Sequence, residues 1–162
     1  MTLERKLAKI FMLDDDGWER HANPLSVWTR YSVLPIFAFA GFLREWNVWM
    51  CGALIVIALA WTFFNPILFS KPKNYSSWAS KSVLGERIYI NRDIYKLPEH
   101  HNSPIFMVLN AISSAGVMAC FWGVYKFDAP ICMLGILITY LAKSWFLDRM
   151  VWLFNDVNSD RG

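Results

Sequence analysis

Residues 46–70 read WNVWMCGALIVIALAWTFFNPILFS, and residues 102–125 read NSPIFMVLNAISSAGVMACFWGVY. Neither stretch contains Asp, Glu, Lys, Arg or His. The hydrocarbon core of a bilayer is crossed by about 20 apolar helical residues, and a helix in a soluble protein is rarely apolar on every side for that length. The two stretches therefore predict membrane-spanning helices, which we place at residues 46–65 and 104–125.

Two further stretches are apolar apart from one cation near an end. Residues 24–43 include Arg30, and residues 129–147 include Lys143. A long cationic side chain near the end of a span can extend to the headgroups. We therefore expect four spans in a single membrane domain over residues 1–162, folded as an all-α, four-helix transmembrane bundle.

Two features of the spans predict local geometry. Pro35 lacks the N–H that would complete a helical hydrogen bond, so it predicts a kink in the middle of the first span. Ala111, Ala115, Ala119 and Gly123 recur at every fourth position of the third span. Such a ridge of small residues allows a neighbouring helix to pack closely.

The distribution of cations predicts the orientation in the membrane. Four spans would put both termini and the loop at residues 71–103 on one face of the bilayer. Fourteen of the sixteen Lys and Arg residues fall on that side, and only Arg44 and Lys126 fall in the loops opposite. The positive-inside rule then places the protein in the cell membrane with both termini cytoplasmic.

The net charge of +3 indicates attraction to anionic lipid headgroups. A nucleic-acid partner is not expected, because no basic stripe with interleaved aromatic residues appears on a soluble face. A homo-oligomer is compatible with the sequence. At the N-terminus, Leu3, Leu7, Ile10 and Phe11 have helical spacing, which predicts an amphipathic helix that lies in the interface or packs on the protein's own inner face.

The three cysteines, Cys51, Cys120 and Cys132, all fall inside predicted spans and form no CxxC motif. Cysteine in such a position commonly serves as a small buried apolar residue. The predicted orientation puts all three towards the outer leaflet, so a disulfide between two of them is the alternative.

Polar and ionisable residues gather on the predicted cytoplasmic side, at span ends and in the central loop. Ionisable groups at the membrane end of a bundle are candidates for a functional site. The candidate catalytic residues are His21, Glu86, Asp93 and Asp148. The candidate ligand-binding residues are Asn23, Arg30, Arg87, Arg92 and Arg149.

A recurring set of polar and aromatic residues also extends from about Phe11 to Asp156. Its members are Trp18, His21-Ala-Asn23-Pro24, Thr29-Arg30, Asn65-Pro66, Trp78-Ala-Ser-Lys81, Gly85-Glu86-Arg87, Arg92-Asp93 and Phe146-Leu-Asp148-Arg149-Met150-Val-Trp152. In this pattern the chain resembles a family of small prokaryotic four-span membrane proteins carrying a domain of unknown function. The resemblance implies the four-span architecture and assigns neither an activity nor a cofactor.

Binding of a lipid headgroup or amphiphile at this polar cap is our leading hypothesis, because arginine is well suited to bidentate contacts with phosphate. In the alternative, the arginines pair with Glu86, Asp93 and Asp148 in a network that only fastens the loop to the bundle. That alternative describes a non-catalytic structural or accessory protein. A small transporter is a further alternative, although no acidic residue lies mid-membrane to relay protons.

A metal-dependent membrane enzyme is also considered, with zinc or iron as the ion. The residues that would supply ligands are His21, His100 and His101, joined by Glu86, Asp93 or Asp148. No HxxxH or HxxE spacing appears, and adjacent histidines on an extended chain point in opposite directions. A surface loop with titrating histidines is therefore the alternative.

Overall fold

The fold is helical throughout most of the residues that the structure describes. The computed structural model describes residues 14–94 and 97–159. Its helices are α1 (Asp15–His21), α2 (Pro24–Arg30), α3 (Val33–Leu43), α4 (Val48–Leu68), α5 (Trp78–Ile90), a 3-10 helix (Glu99–His101), α6 (Ile105–Lys126) and α7 (Ala129–Ser159). The amphipathic helix predicted at residues 3–11 lies outside the described residues.

The helices form two compact units. The polar unit consists of the described residues up to Trp28, of Phe63–Pro104 and of the described residues from Phe146 onward. The apolar unit consists of Thr29–Thr62 and Ile105–Trp145. The charged residues of the apolar unit are Arg30, Arg44, Glu45, Lys126, Asp128 and Lys143. Of these, only Arg30 is a candidate functional residue, and all the remaining candidates belong to the polar unit.

Three helices in the described part of the chain, α4, α6 and α7, are long and apolar enough to cross a membrane. They coincide with the second, third and fourth predicted spans. Large apolar side chains on these helices face outward, among them Trp49 at 86%, Met107 at 76% and Met133 at 70% exposure. Exposed apolar surface on this scale is typical of helices in contact with lipid or with a partner, so the structure is compatible with a membrane protein.

The first predicted span is not one long helix. Residues 24–43 form two helices, α2 with 7 residues and α3 with 11. A helix of 11 residues rises about 16 Å, which is roughly half the thickness of the hydrocarbon core. The predicted four-helix bundle is therefore not confirmed, because only three helices in the described residues reach the required length.

Pro35 explains where α3 is separated from the helix before it. The missing N–H of Pro35 leaves the carbonyl of Tyr31, four residues earlier, without its helical donor. The hydroxyl of Tyr140 on α7 donates to that carbonyl instead, and the Tyr31 hydroxyl is hydrogen-bonded to Ser144 at 2.9 Å. The kink predicted from Pro35 is thus an interruption whose free backbone group is satisfied inside the apolar unit.

Backbone contact between α6 and α7 organises the apolar unit. A Cβ atom added to Gly135 of α7 would lie 2.3 Å from the backbone nitrogen of Cys120. A Cβ atom added to Gly123 of α6 would lie 2.4 Å from the backbone nitrogen of Cys132. The absence of side chains at these two positions is what allows the helices to touch.

The small-residue ridge predicted on α6 is displaced from the stripe that packs. Ala111 and Ala115 are exposed, whereas Gly116 and Cys120 are buried. Successive helical residues are about 100° apart around the axis. The predicted ridge of alanines therefore lies one residue away from the stripe of Gly116 and Cys120 that is buried. Gly123, which ends the predicted ridge, does lie on the packed side.

The Arg44 guanidinium donates hydrogen bonds to backbone carbonyls at two helix ends of the apolar unit. Its Nη1 atom donates to the carbonyls of Gly41 and Val124 at 2.7 and 2.8 Å, and its Nη2 atom donates to that of Tyr125 at 3.0 Å. These carbonyls lie in the last turns of α3 and α6, where helical N–H donors are too few for the carbonyl acceptors.

Candidate metal centre

The two adjacent histidines of the polar unit converge on one carboxylate. His100 Nε2 and His101 Nε2 each lie 2.8 Å from Oδ2 of Asp156, which belongs to α7. Because an ionised carboxylate only accepts hydrogen bonds, both imidazoles donate their Nε2 protons. The three donor atoms that a metal would use lie within 4.8 Å of one another.

The 3-10 helix is what brings the two rings to the same side. The N–H of His101 donates to the carbonyl of Pro98 at 2.9 Å, which closes the turn. The ring centroids of His100 and His101 lie 4.4 Å apart. The prediction that these adjacent histidines point in opposite directions is wrong, because it holds for an extended chain and this segment is a tight helical turn.

The two histidines differ in their surroundings. His101 is fully buried, whereas the His100 side chain is 58% exposed. Buried Nδ1 of His101 has no hydrogen-bond partner among the residues that the structure describes. No second hydrogen bond at that nitrogen would then oppose a small rotation of the ring.

The separations suit a divalent transition metal after such a movement. Zinc binds imidazole nitrogen and carboxylate oxygen at about 2.0–2.2 Å, which puts neighbouring tetrahedral ligands roughly 3.3 Å apart. The two N···O distances of 2.8 Å are about half an ångström shorter than that separation. Loss of the two shared protons would allow the donors to move apart around a cation.

An indole and a guanidinium lie beside the three ligands. The Trp152 ring centroid is 5.9 Å from that of His101 and 6.3 Å from that of His100. The Arg149 guanidinium lies 4.4 Å from the Trp152 ring centroid. Arg149 and Trp152 are three residues apart on α7, so the long arginine side chain reaches the ring in the next turn of the helix.

His21, the third histidine considered as a metal ligand, is not part of this cluster. It is buried, and its Nδ1 atom lies 2.9 Å from Oγ of Ser26. The Ser26 hydroxyl donates to Asn65 Oδ1 at 2.8 Å. Since a hydroxyl has one proton, His21 Nδ1 must be the donor in the first bond. This buried chain joins α1, α2 and α4 within the polar unit.

Asp148, a candidate catalytic residue, binds α5. The indole Nε1 of Trp78 donates to Asp148 Oδ1 at 3.0 Å. Lys81 Nζ, one turn along α5, donates to Asn155 Oδ1 at 3.0 Å. These contacts attach α5 to the C-terminal part of α7, with an indole as the partner of Asp148 where the structural alternative expected an arginine.

The three-residue donor cluster does not include the other candidate residues of the polar unit. Asn23 begins α2, with its Oδ1 accepting from the Leu25 N–H at 3.0 Å, as a residue that starts a helix does. Arg87 pairs with Asp15, and Arg92 donates to the carbonyl of Tyr89 at 3.0 Å. The remaining members are Glu86, half-buried on α5, and Asp93, exposed in the turn after it.

Arg30 belongs to the apolar unit, whereas the other three candidate arginines, Arg87, Arg92 and Arg149, belong to the polar unit. Each arginine of the polar unit has its own neighbour. Arg149 differs from Arg87 and Arg92, because its buried Nε atom has no hydrogen-bond partner within residues 14–94 and 97–159.

An exposed ion-pair cluster fastens the segment after α4 to α1. Lys71 Nζ lies 2.9 Å from Asp16 Oδ1 and 2.6 Å from Glu19 Oε2. The hydrogen bond from Lys71, with one from Arg20, lowers the pKa of the Asp16 carboxyl. The two carboxylates raise the pKa of the Lys71 ammonium. All four groups face solvent, so this cluster contributes little to stability.

Asp156 is the member of the cluster that our list of site residues omitted. No sequence pattern connects it with His101, which is 55 residues away. A proximity of that kind arises only when the chain folds.

Comparison with known proteins identifies a family. Searches of curated proteins and of solved structures each found no significant match. The sequence model of one family matches residues 2–162, nearly the whole chain. The chain therefore belongs to DUF6653, a family of unknown function.

Proposed function

We propose that this protein is a membrane protein whose polar unit binds a divalent transition-metal ion through His100, His101 and Asp156. The observation that carries the proposal is the convergence of two imidazole Nε2 atoms on one carboxylate oxygen, each at 2.8 Å. Two imidazoles and a carboxylate are a ligand set used for zinc and for ferrous iron.

Three protein ligands leave coordination positions open. Structural zinc sites usually have four protein ligands, whereas catalytic sites have three and keep a position for water or substrate. His100 is exposed on one side of the cluster, so an incoming molecule could reach the ion. A metal held there would bind an anionic group or lower the pKa of a bound water.

A purely structural role for the cluster makes a different prediction. In that case the two histidines only donate hydrogen bonds to Asp156, and they attach the 3-10 helix to α7 without any ion. Measured zinc affinity distinguishes the two roles. A metal site requires that the three residues bind zinc together, whereas a purely hydrogen-bonded contact has no such requirement.

The test measures metal binding by the purified full-length chain in detergent. After chelation, titration with Zn²⁺ should give one ion per chain, and Co²⁺ should give visible absorption bands from nitrogen and oxygen ligands. Asp156→Asn keeps the shape of the side chain but removes its charge. We expect it to weaken zinc binding by about 100-fold or more.

Glu99→Gln is the matched control, because Glu99 is an exposed carboxylate next to the cluster and outside it. It should leave zinc affinity unchanged. Folded wild-type protein that binds no zinc, or wild type and Asp156→Asn with equal affinity, would overturn the proposal.

We also propose binding of an anionic lipid headgroup, with Arg149 as its contact. The supporting observation is the buried Nε atom of Arg149, for which the described residues supply no hydrogen-bond acceptor. A phosphate oxygen is an acceptor that arginine binds well. The polar unit belongs to a chain with three membrane-compatible helices, so a lipid phosphate is an available source.

Native mass spectrometry of protein purified with its lipids tests this second proposal. Arg149→Gln should reduce the retained anionic lipid by about tenfold, which corresponds to the loss of one charge-assisted hydrogen bond. Lys73→Gln is the control, since Lys73 is an exposed cation of the same unit. Equal retention in both variants, or the absence of retained lipid from the wild type, would contradict the proposal.

For the orientation, we propose a cell-membrane location with both termini cytoplasmic. The support is the charge asymmetry, fourteen cations against two. An even number of crossings is then required, and α2 together with α3 would provide the crossing beyond α4, α6 and α7.

A further inference from the structure

Two cysteines of the apolar unit have their sulfur atoms in contact. Cys120 lies on α6 and Cys132 on α7, and their Sγ atoms are 3.6 Å apart. Both residues are buried, with 0% and 3% of their surfaces exposed. The third cysteine, Cys51 on α4, is also a free thiol.

The backbone around the two thiols is already close. On one side Gly135 meets Cys120, where an added Cβ atom would be 2.7 Å from the Cys120 Cα atom. On the other side Gly123 meets Cys132, where an added Cβ atom would be 2.8 Å from the Cys132 Cα atom. Disulfides require the two Cα atoms within about 7 Å, and helices in direct backbone contact provide such an approach.

The positions of the two sulfur atoms are equally favourable. The Sγ atoms are already in van der Waals contact, whereas cysteines on diverging vectors cannot be bridged without backbone movement. To form a disulfide bond of about 2.05 Å, the two sulfur atoms must approach by roughly another 1.5 Å, chiefly through rotation of the side chains.

We propose that Cys120 and Cys132 are a redox-active dithiol that oxidises to an intramolecular disulfide between α6 and α7. In this step both S–H bonds break and one S–S bond forms. Two protons and two electrons pass to an acceptor of the quinone class, which becomes the quinol. An apolar acceptor is required because the thiols lie between two apolar helices, where a charged oxidant would not enter.

The disulfide would fix the α6–α7 crossing of the apolar unit. In the reduced state the crossing depends on noncovalent contacts, among them the glycine packing and a hydrogen bond from the Thr139 hydroxyl to the Ser113 carbonyl. In the oxidised state a covalent bond joins residues twelve positions apart in the chain. The redox state of the surrounding membrane would thus determine whether these two helices can separate.

The test uses full-length Cys51→Ser protein in detergent, which retains only the two thiols of the pair. Duroquinone is the oxidant, because its fully substituted ring cannot add to thiols. The protein is then denatured and labelled with polyethylene-glycol maleimide. We expect two labels before oxidation and none afterwards, with a monomer on a non-reducing gel, an intact mass lower by two hydrogen atoms, and recovery of both labels by dithiothreitol.

Two further variants identify the partners. Cys120→Ser and Cys132→Ser, each combined with Cys51→Ser, should keep their single label after the same treatment. Two labels persisting in oxidised Cys51→Ser protein would overturn the proposal, and so would disappearance of the labels through disulfide-linked dimers.

Discussion

Replacing Gly85 by valine is expected to destabilise the polar unit strongly. A Cβ atom at Gly85 of α5 would lie 1.9 Å from the carbonyl oxygen of Met150 on α7 and 2.6 Å from its carbonyl carbon. The obstructing atoms are backbone, so no side chain can rotate away. Helix α5 must instead separate from α7, which would break the hydrogen bonds from Trp78 to Asp148 and from Lys81 to Asn155.

The expected loss of stability is about 4 kcal/mol or more, at the upper end of the range for a substitution that overfills a packed contact. Thermal unfolding followed by circular dichroism in detergent measures it, and hydrogen exchange should show faster exchange in residues 78–90. Gly85→Ala, which adds the smallest side chain, should destabilise in the same way but to a lesser degree.

Gly52→Ala is the matched control for this prediction. Gly52 is also helical, but a Cβ atom there meets nothing within 4 Å among the described residues. Removal of a helical glycine normally stabilises by about 0.5–1 kcal/mol. Gly85→Ala and Gly85→Val proteins as stable as Gly52→Ala would show that α5 does not lie against Met150 as described.

The membrane-compatible helices were predictable because their signal is local. An uncharged run of about 20 residues can be recognised without knowing what it contacts, and α4, α6 and α7 follow from such runs. The first predicted span is two short helices rather than one long helix, and the sequence did not show this because composition over residues 24–43 does not report helix continuity. The interruption before Pro35 also requires the Tyr140 hydroxyl, which lies more than a hundred residues further along the chain.

The candidate metal centre was predictable only in part. His100 and His101 were identified from residue type, but the turn that aims both rings at one oxygen depends on the 3-10 helix. Asp156 had no local signal of its role. Conversely, Asp148 was selected because a charged group at a span end suggests chemistry, and the structure shows it bound to Trp78. Residue chemistry identified candidates, whereas long-range contacts determine their partners.

Saturating zinc is expected to raise the melting temperature of the wild-type protein by about 8–16 °C. A ligand that binds only the folded state at a thousand times its dissociation constant stabilises by about 4 kcal/mol. In a chain of this length each kcal/mol corresponds to roughly 2–4 °C. The ligands come from the 3-10 helix and from α7, so the ion would join two segments that are distant in sequence.

The same linkage should be visible residue by residue in hydrogen exchange. Zinc should slow the exchange of amides in residues 99–101 and at the C-terminal end of α7, because bound metal opposes opening of the contact between them. The shift in melting temperature should disappear in Asp156→Asn and persist in Glu99→Gln. An equal shift in Asp156→Asn would place the stabilising zinc elsewhere, whereas protection confined to residues 99–101 would mean that α7 supplies no ligand.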